Sequence, residues 1–252
     1  MNKKLFIPGV FFAILSIISA IIAIYIYTDD GKIFKEPDLE SSQSVSVGSE
    51  ISGDYVSPID FNGVEQTNSE LYAWLSIDGT DISHPVAQSK TNDNYYLKRA
   101  PDKKYSINGT LFTQKTYNNL DFNDPVTVIY GHDMKSGAMF GKLQELFSDE
   151  QSFEKLKNSL VVYLPDRELH YEVFAAVPYS ERHILHYYDK FETPETVDEF
   201  IDEIYSVRAF GANFTTDIKI KNTDKLLVLS TCLKGDISKR FLVVSRLKAT
   251  IK

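Results

Sequence analysis

The stretch that decides the fold is 225–247, KLLVLSTCLKGDISKRFLVVSRL, in which a short polar turn joins two apolar runs. Runs of four to eight branched apolar residues bounded by turn residues are typical of buried strands. The runs at 226–229 and 241–244 therefore predict two adjacent strands connected around Gly235. Cys232, the only cysteine of the chain, ends the first strand, and Arg240 begins the second. We expect the short turn to bring the thiol and the guanidinium together.

A fixed cation beside a thiol favours the thiolate and holds an anion, which points to nucleophilic chemistry at Cys232. Two plainer readings stand beside it, since a lone strand cysteine is more often a small buried hydrophobe and a strand-end arginine is more often a solvated charge. The presence of His132 favours the nucleophilic role for Cys232. It follows another apolar run, 126–130, and nucleophilic cysteines pair with a histidine that is distant in sequence.

Four segments together resemble the sortase family, the membrane-anchored cysteine transpeptidases of Gram-positive bacteria, and class B most closely. They are DNYYLKRAPDKKYSINGTLF (93–112), YGHDMKSGAMF (130–140), LSTC (229–232) and KRFLVVSRL (239–247). The resemblance covers most of residues 61–252, and the motifs agree in order and spacing. The many short strands with turn signals favour a mainly β, closed or nearly closed barrel with peripheral helices. The resemblance implies that the barrel has eight strands.

The chemistry of transpeptidation assigns a role to each of three residues. Cys232 is the nucleophile, because a thioester is reactive enough for a second amine to resolve it. His132 is the general acid for the departing amine and then the base for the incoming one. Arg240 stabilises the oxyanion, because a guanidinium keeps its charge and has several donors. Asp133 is adjacent to His132, but neighbouring side chains usually point apart, so we do not include it.

The resemblance also implies a substrate class and a groove. The substrate is a secreted protein whose C-terminal sorting signal has proline at its second position and threonine at its fourth. The signal is cleaved after the threonine, and the acyl group passes to a cell-wall (peptidoglycan) precursor amine. Ser230 and Thr231 precede the nucleophile and are expected to line the groove, with Leu97 and Tyr187 at its walls. Arg240 follows Cys232 by eight positions, whereas class B members can have a longer turn there.

Composition and charge exclude several other classes of protein. The chain carries a net charge of −8, and residues 28–60, with eight acids and two bases, hold −6 of it. The domain that follows is nearly balanced and has no basic footprint for nucleic acid. One cysteine forms no internal disulfide. We expect neither cofactor nor metal, because the acidic calcium cluster of class A sortases has no counterpart and the pair His183 and His186 lacks a third ligand.

The N-terminus predicts an uncleaved anchor. Residues 5–27 are an uncharged apolar run of 23, preceded by Lys3 and Lys4 and followed by two aspartates. Such a run spans a bilayer, and its flanking charges leave the N-terminus cytoplasmic and the bulk of the chain outside the cell membrane. A cleaved signal peptide is the alternative, but the run lacks a small-residue cleavage site. We therefore divide the chain into an anchor (1–27), an acidic Ser-rich linker (28–60) and a catalytic domain (61–252).

Other patterns predict the remaining elements. A short helix is expected within 65–75, capped by Asn68 or Ser69, and a hairpin around Asp78 and Gly79. The apolar residues of 137–147 fall at helical spacing. Strands are expected at 109–113, 126–130, 160–164 and 168–177, and a helix opens at Pro194 with an apolar stripe along one side.

Two other classes of function remain open. A tethered extracellular binding or scaffold barrel without activity would tolerate loss of Cys232, His132 or Arg240. A purely hydrolytic cysteine peptidase would release its product without any amine acceptor.

Overall fold

The structure is a computed structural model and describes residues 55–215 and 217–252. The predicted anchor at 1–27 and most of the predicted linker lie outside the described residues. Within the part that is described, no helix is both long and apolar enough to span a bilayer.

The described residues form nine strands, five α-helices and two short 3₁₀ helices. The strands are β1 (Leu71–Ile77), β2 (Ser83–Ala87), β3 (Leu111–Phe112), β4 (Val126–Tyr130), β5 (Leu160–Leu164), β6 (Arg167–Tyr179), β7 (Asn213–Phe214), β8 (Leu226–Leu233) and β9 (Asp236–Ile251). The α-helices are α1 (Phe61–Thr67), α2 (Leu143–Ser148), α3 (Glu150–Leu156), α4 (Ile184–Tyr187) and α5 (Pro194–Ser206). Two 3₁₀ turns lie at Tyr95–Lys98 and Asp189–Phe191.

Eight of these strands close into a barrel, which confirms the predicted architecture. The hydrogen-bonded order is β5, β1, β2, β3, β4, β8, β9 and β6, and the pairing of β5 with β6 completes the ring. The pairs β2–β3 and β4–β8 are parallel, and the others are antiparallel. Closure leaves none of the eight strands with an unpaired edge, and β7 adds a short pairing outside the ring, against β6.

The barrel interior is a single apolar core to which all eight strands contribute. Alternate residues of a strand point to opposite faces, and one set from each strand is buried here, among them Leu75, Ile129, Leu229 and Phe241. Helices α2 and α3 add further buried residues to this core, namely Leu143, Phe147, Phe153 and Leu156. The core therefore continues from the strands into these two helices.

The outer face of β4, β8, β9 and β6 is covered by α4 and α5. The other set of alternating residues, including Val128, Val228 and Val244, packs here against the two helices. Helix α5 begins at Pro194 as predicted and buries its stripe of Val197, Phe200, Ile201 and Ile204. The four strands that carry the candidate site are thus buried on both faces.

The predicted helix within 65–75 is wrong. Helix α1 ends at Thr67 and is capped by Asp60, whose Oδ1 accepts a hydrogen bond from the Gly63 N–H at 3.1 Å. Residues from Leu71 onward form β1, which pairs with β2 on one side and β5 on the other. Pairing on both edges outweighs the local helical pattern. The predicted hairpin is confirmed, with Gly79 in its turn at φ +80°.

The predicted helical spacing at 137–147 is only partly right, because α2 begins at Leu143. Residues 132–141 instead form a tight loop. The Phe140 N–H donates to the His132 carbonyl at 3.0 Å, and Met139 adopts a φ of +54°. Phe140 nevertheless enters the barrel core. The apolar pattern predicted correctly that Phe140 is buried, but it did not predict that residues 132–141 form a loop.

The described chain makes contact with the barrel before residue 61. Ile59 is buried, and the Tyr55 hydroxyl donates to Glu168 Oε1 at 3.4 Å. The last residues of the segment assigned to the linker therefore pack on the domain.

Candidate active site

Strand register brings the three predicted catalytic residues to one end of the barrel. Parallel pairing of β4 with β8 sets Tyr130 opposite Ser230, and the Gly131 N–H donates to the Ser230 carbonyl at 3.1 Å. The chain beyond β4 therefore leaves the sheet beside the end of β8, which places His132 next to the segment that carries Cys232. Antiparallel pairing of β8 with β9 sets Cys232 directly opposite Arg240.

The thiol and the guanidinium are close but not in tight contact. Arg240 Nη1 lies 3.9 Å from Cys232 Sγ, and the thiol is partly exposed to solvent. The same Nη1 donates to the Ile237 and Lys239 carbonyls at 3.1 and 3.0 Å. The β8–β9 turn thus holds the guanidinium by one nitrogen. The Lys239 side chain instead pairs with Asp236 at 3.3 Å.

His132 is oriented by a backbone carbonyl. Its Nε2 lies 2.7 Å from the carbonyl oxygen of Leu97, at the 3₁₀ turn Tyr95–Lys98. A carbonyl only accepts hydrogen bonds, so Nε2 donates in this contact, and in the neutral ring Nδ1 is then the acceptor. The sequence placed Leu97 at a groove wall. It did not indicate this second role, because a backbone oxygen has no residue signature.

The loop that carries His132 depends on glycine at 131. A Cβ at this position would lie 2.5 Å from both Leu111 Cδ2 and Phe140 Cδ2. These two side chains belong to the barrel core. Only glycine lets the backbone pass this close to the core before it turns out to His132.

Asp133 directly follows His132 in the same loop. Partial burial raises the pKa of the Asp133 carboxyl, and the positive charge of Lys234 opposes that shift. Its backbone bridges to Met139 across the loop. Within the described residues, the side-chain hydrogen bond of His132 goes to the Leu97 carbonyl. The omission of Asp133 from the catalytic set remains a prediction.

The two residues before the nucleophile lie on opposite faces of β8. Ser230 shares the face of Cys232 by alternation, whereas Thr231 lies on the face of Leu229, which points into the barrel. Both are almost fully buried, and within the described chain the Thr231 hydroxyl has no hydrogen-bond partner. The predicted lining of the groove by these two residues remains a prediction, and alternation favours Ser230 for it.

Tyr187 is exposed on α4 and is linked to the site through other side chains. The Arg182 guanidinium lies 4.1 Å from the centre of the Tyr187 ring and 5.4 Å from that of Tyr179. Tyr179 is the cross-strand neighbour of Arg240 on β6. Arg182 is itself held by an ion pair with Glu203. The predicted substrate contacts of Tyr187 and Leu97 remain predictions.

A cysteine, a histidine and an arginine gathered at one end of a closed β-barrel define a class of cysteine enzymes that transfer acyl groups. A family model for the sortase domain matches residues 75–248, which is more than half of the chain. The chain therefore belongs to the sortase family, whose members are cysteine transpeptidases.

The most similar relatives compared are class B sortases. Sortase B of Listeria monocytogenes is 34% identical over 170 residues, which cover 67% of this chain and 65% of that protein. The match thus spans slightly less than two thirds of that relative's length. The crystal structure of Clostridium perfringens sortase B is 26% identical with a TM-score of 0.65, and covers 75% of this chain and 100% of that one. A sortase B solved with triglycine is 25% identical with a TM-score of 0.62, covering 76% and 85%.

Proposed function

We propose that this protein is a class B-type sortase that cleaves a sorting signal and transfers the acyl group to an amine. The observation that carries the proposal is the pairing of Cys232 with Arg240 across two strands, with Sγ and Nη1 3.9 Å apart. A buried structural cysteine would have no need of a guanidinium at this distance.

The reaction has two halves that use the same three side chains. Cys232 Sγ gives its proton to His132 Nδ1 and attacks the threonine carbonyl carbon, and the resulting oxyanion is stabilised by the Arg240 guanidinium. The carbon–nitrogen bond then breaks as His132 donates a proton to the departing amine, leaving a thioester. The second amine attacks the thioester and His132 accepts a proton from it. The thiolate leaves and takes this proton back from His132, which regenerates the enzyme.

The geometry supports this division of roles. Arg240 has one nitrogen occupied by the turn, so its other N–H groups are available to the oxyanion. The Leu97 carbonyl fixes the ring of His132, which reduces the reorganisation required for proton transfer. Cys232 is partly exposed, so a peptide carbonyl can reach it.

The proposed substrate is a secreted protein whose C-terminal signal has proline at position 2 and threonine at position 4. The proposed acceptor is an amine of a cell-wall precursor. A sortase B structure that contains triglycine supports this choice, because a short glycine chain offers an unhindered primary amine.

A decisive test compares peptide products with and without an added amine. The purified full chain is given a library of sorting-signal peptides, and products are identified by mass spectrometry. Cleavage after threonine with amine-dependent product would support a transpeptidase. A hydrolytic peptidase would release the same acid whether or not the amine is present.

The Cys232→Ala variant separates the enzyme from a scaffold barrel. We expect it to fold normally, with an unchanged circular dichroism spectrum and melting temperature, and to cleave nothing. Retained cleavage would refute the nucleophile assignment. A large fall in melting temperature with retained cleavage would show instead that the cysteine is structural.

We also propose that residues 1–27 remain in the mature protein and anchor it in the cell membrane with the domain outside. The support is the 23-residue uncharged run and its flanking charges. Protease added to intact protoplasts should remove the domain, and N-terminal sequencing should begin at or near Met1. A mature N-terminus beyond Tyr27, with the protein free in the medium, would refute the anchor.

A further inference from the structure

A segment beside the candidate active site has a charge opposite to that of the rest of the chain. Residues 97–108, which we call the basic finger, contain four cationic side chains and one carboxylate, for a net charge of +3. Since the whole chain carries −8, the remaining residues carry −11. An anionic surface would therefore attract this segment and repel most of the protein, which orients the domain.

The basic finger is a built structure. Arg99 and Tyr105 form a backbone bridge, and the Ala100 N–H donates to the Lys104 carbonyl at 2.9 Å. The Arg99 guanidinium lies between two rings, 5.6 Å from the centre of Tyr95 and 6.0 Å from that of Tyr105. At the tip, the Pro101 carbonyl accepts a hydrogen bond from Asn68 Nδ2 at 2.9 Å. The finger is thus held in one shape before any partner arrives.

Its outer surface combines exposed apolar side chains with exposed cations. Tyr105 and Ile107 are 68% and 63% exposed, and Lys98 and Lys104 are exposed around them. Lys103 pairs with Glu70 and Lys104 with Asp102, whereas Lys98 has no ion pair within the described residues. A small soluble anion would bind to the cations alone and would leave the exposed Tyr105 and Ile107 without a role. Exposed Tyr and Ile beside lysines fit the interface of a bilayer, where aromatic and aliphatic groups enter between headgroups.

The base of the basic finger is part of the active site. Leu97, its first residue, provides the carbonyl that lies 2.7 Å from His132 Nε2. A surface that bound the finger would therefore lie next to the catalytic histidine. This is the arrangement an enzyme needs if its substrates are delivered at a membrane.

We propose that the basic finger docks on an anionic lipid bilayer and holds the active site against the membrane surface. The cations contact lipid headgroups, and Tyr105 and Ile107 enter the interfacial region. The inference rests on the proposed function, in which the domain lies outside the cell membrane on an anchor.

The test measures contact between bilayer and finger in the full chain. Tyr105→Trp places an indole on the finger, and Phe210→Trp places one on another exposed loop as the matched probe; the native Trp74 is buried. Each variant is reconstituted in two kinds of vesicle, one of zwitterionic lipid alone and one that also contains anionic phosphatidylglycerol. Both kinds contain lipids with a quencher on the acyl chain. We expect severalfold stronger quenching of Trp fluorescence in Tyr105→Trp than in Phe210→Trp, in anionic vesicles only.

Charge reversal on the finger provides a second arm. Lys98→Glu with Lys104→Glu should abolish the extra quenching of the Tyr105→Trp probe, whereas Lys219→Glu, at an exposed lysine elsewhere, should leave it unchanged. Raising the salt from about 0.1 to 1 M shortens the screening length from roughly 10 to 3 Å and should weaken the contact. Equal quenching of the two probes in anionic vesicles would overturn the proposal, as would quenching indifferent to the finger charges.

The same vesicles separate this inference from the proposed function. Cleavage of a sorting-signal peptide without selective quenching at position 105 would overturn the docking alone. Selective quenching in a protein that cleaves no peptide would support the docking surface and refute the proposed activity.

Discussion

Replacing Gly131 with alanine tests how the fold positions His132. The added Cβ would lie 2.5 Å from Leu111 Cδ2 and from Phe140 Cδ2, well inside van der Waals contact. Both neighbours are fully buried in the barrel core, so neither can swing into solvent. Overpacking of this kind costs about 1–3 kcal/mol of folding free energy. We therefore expect the Gly131→Ala protein to fold with a strained path from β4 into the His132 loop.

The expected loss of stability is too small to explain the expected loss of activity. For a domain of this size, 1 kcal/mol lowers the melting temperature by about 2–4 °C, so the shift should be about 2–12 °C. Domains have roughly 5–15 kcal/mol of stability, and the variant stays folded at 25 °C. Relief of the clash moves the backbone next to His132 and disturbs its 2.7 Å contact with the Leu97 carbonyl. A displacement of about 1 Å at a catalytic group costs on the order of 100-fold in rate.

The assay measures kcat/KM for peptide cleavage and thermal unfolding on the same preparation. Gly79→Ala is the matched control, because Gly79 has a φ of +80° in the β1–β2 turn and a Cβ there meets nothing within 4 Å. It should lose stability through backbone strain and keep its activity. If Gly131→Ala kept full kcat/KM despite a lower melting temperature, or if both variants lost activity equally, the positioning argument would be refuted.

Three further predictions concern the guanidinium, a partly buried histidine and the outer face. Arg240→Lys should lower kcat about 100-fold by losing the planar fork at the oxyanion, whereas Lys239→Ala should change it little; comparable losses would reject the assignment. Burial lowers the pKa of His84 to about 4, from 6.5 in the unfolded chain. The unfolded state therefore binds the proton more readily, and stability should fall by at most about 3 kcal/mol as the pH drops from 6.5 to 4. His84→Gln should flatten the dependence of the urea midpoint on pH in this range. An unchanged slope would mean that other groups cause the pH dependence of stability. Phe200→Ala removes a fully buried ring that packs edge-on against Tyr188. It should lower the free energy of unfolding, measured with urea, by about 3–5 kcal/mol. A loss below about 1 kcal/mol would mean that α5 is not packed as described.

The residues predicted to carry the chemistry could be found because each one lies beside an apolar run. Cys232 and His132 each lie just after a mostly apolar run, and such runs indicate buried strands whatever the rest of the fold does. The register between those strands is not encoded locally, since it depends on residues 100 positions apart. The family resemblance implied that the two residues lie close together in the fold, which periodicity alone does not show.

The errors came from places where distant contacts decide local structure. The segment beginning at Leu71 has residues acceptable in a helix, but it pairs with β2 along one edge and with β5 along the other. The loop after His132 has apolar residues at helical spacing, but its backbone closes onto the His132 carbonyl first. The contact of His132 with Leu97 uses a backbone oxygen, and no pattern of side chains reports it.

The mix of parallel and antiparallel pairing explains why one barrel end can carry all three groups. Because β4 and β8 are parallel, both finish at the same end and deliver His132 and Cys232 there. Because β9 is antiparallel to β8 and follows a short turn, it starts where β8 finishes and returns Arg240 to the same place. A slip of one residue between β8 and β9 would send the guanidinium to the face opposite the thiol. The long pairing of β9 with β6, from Tyr179 opposite Arg240 to Glu168 opposite Ile251, makes such a slip costly, so the length of this pairing protects the catalytic geometry.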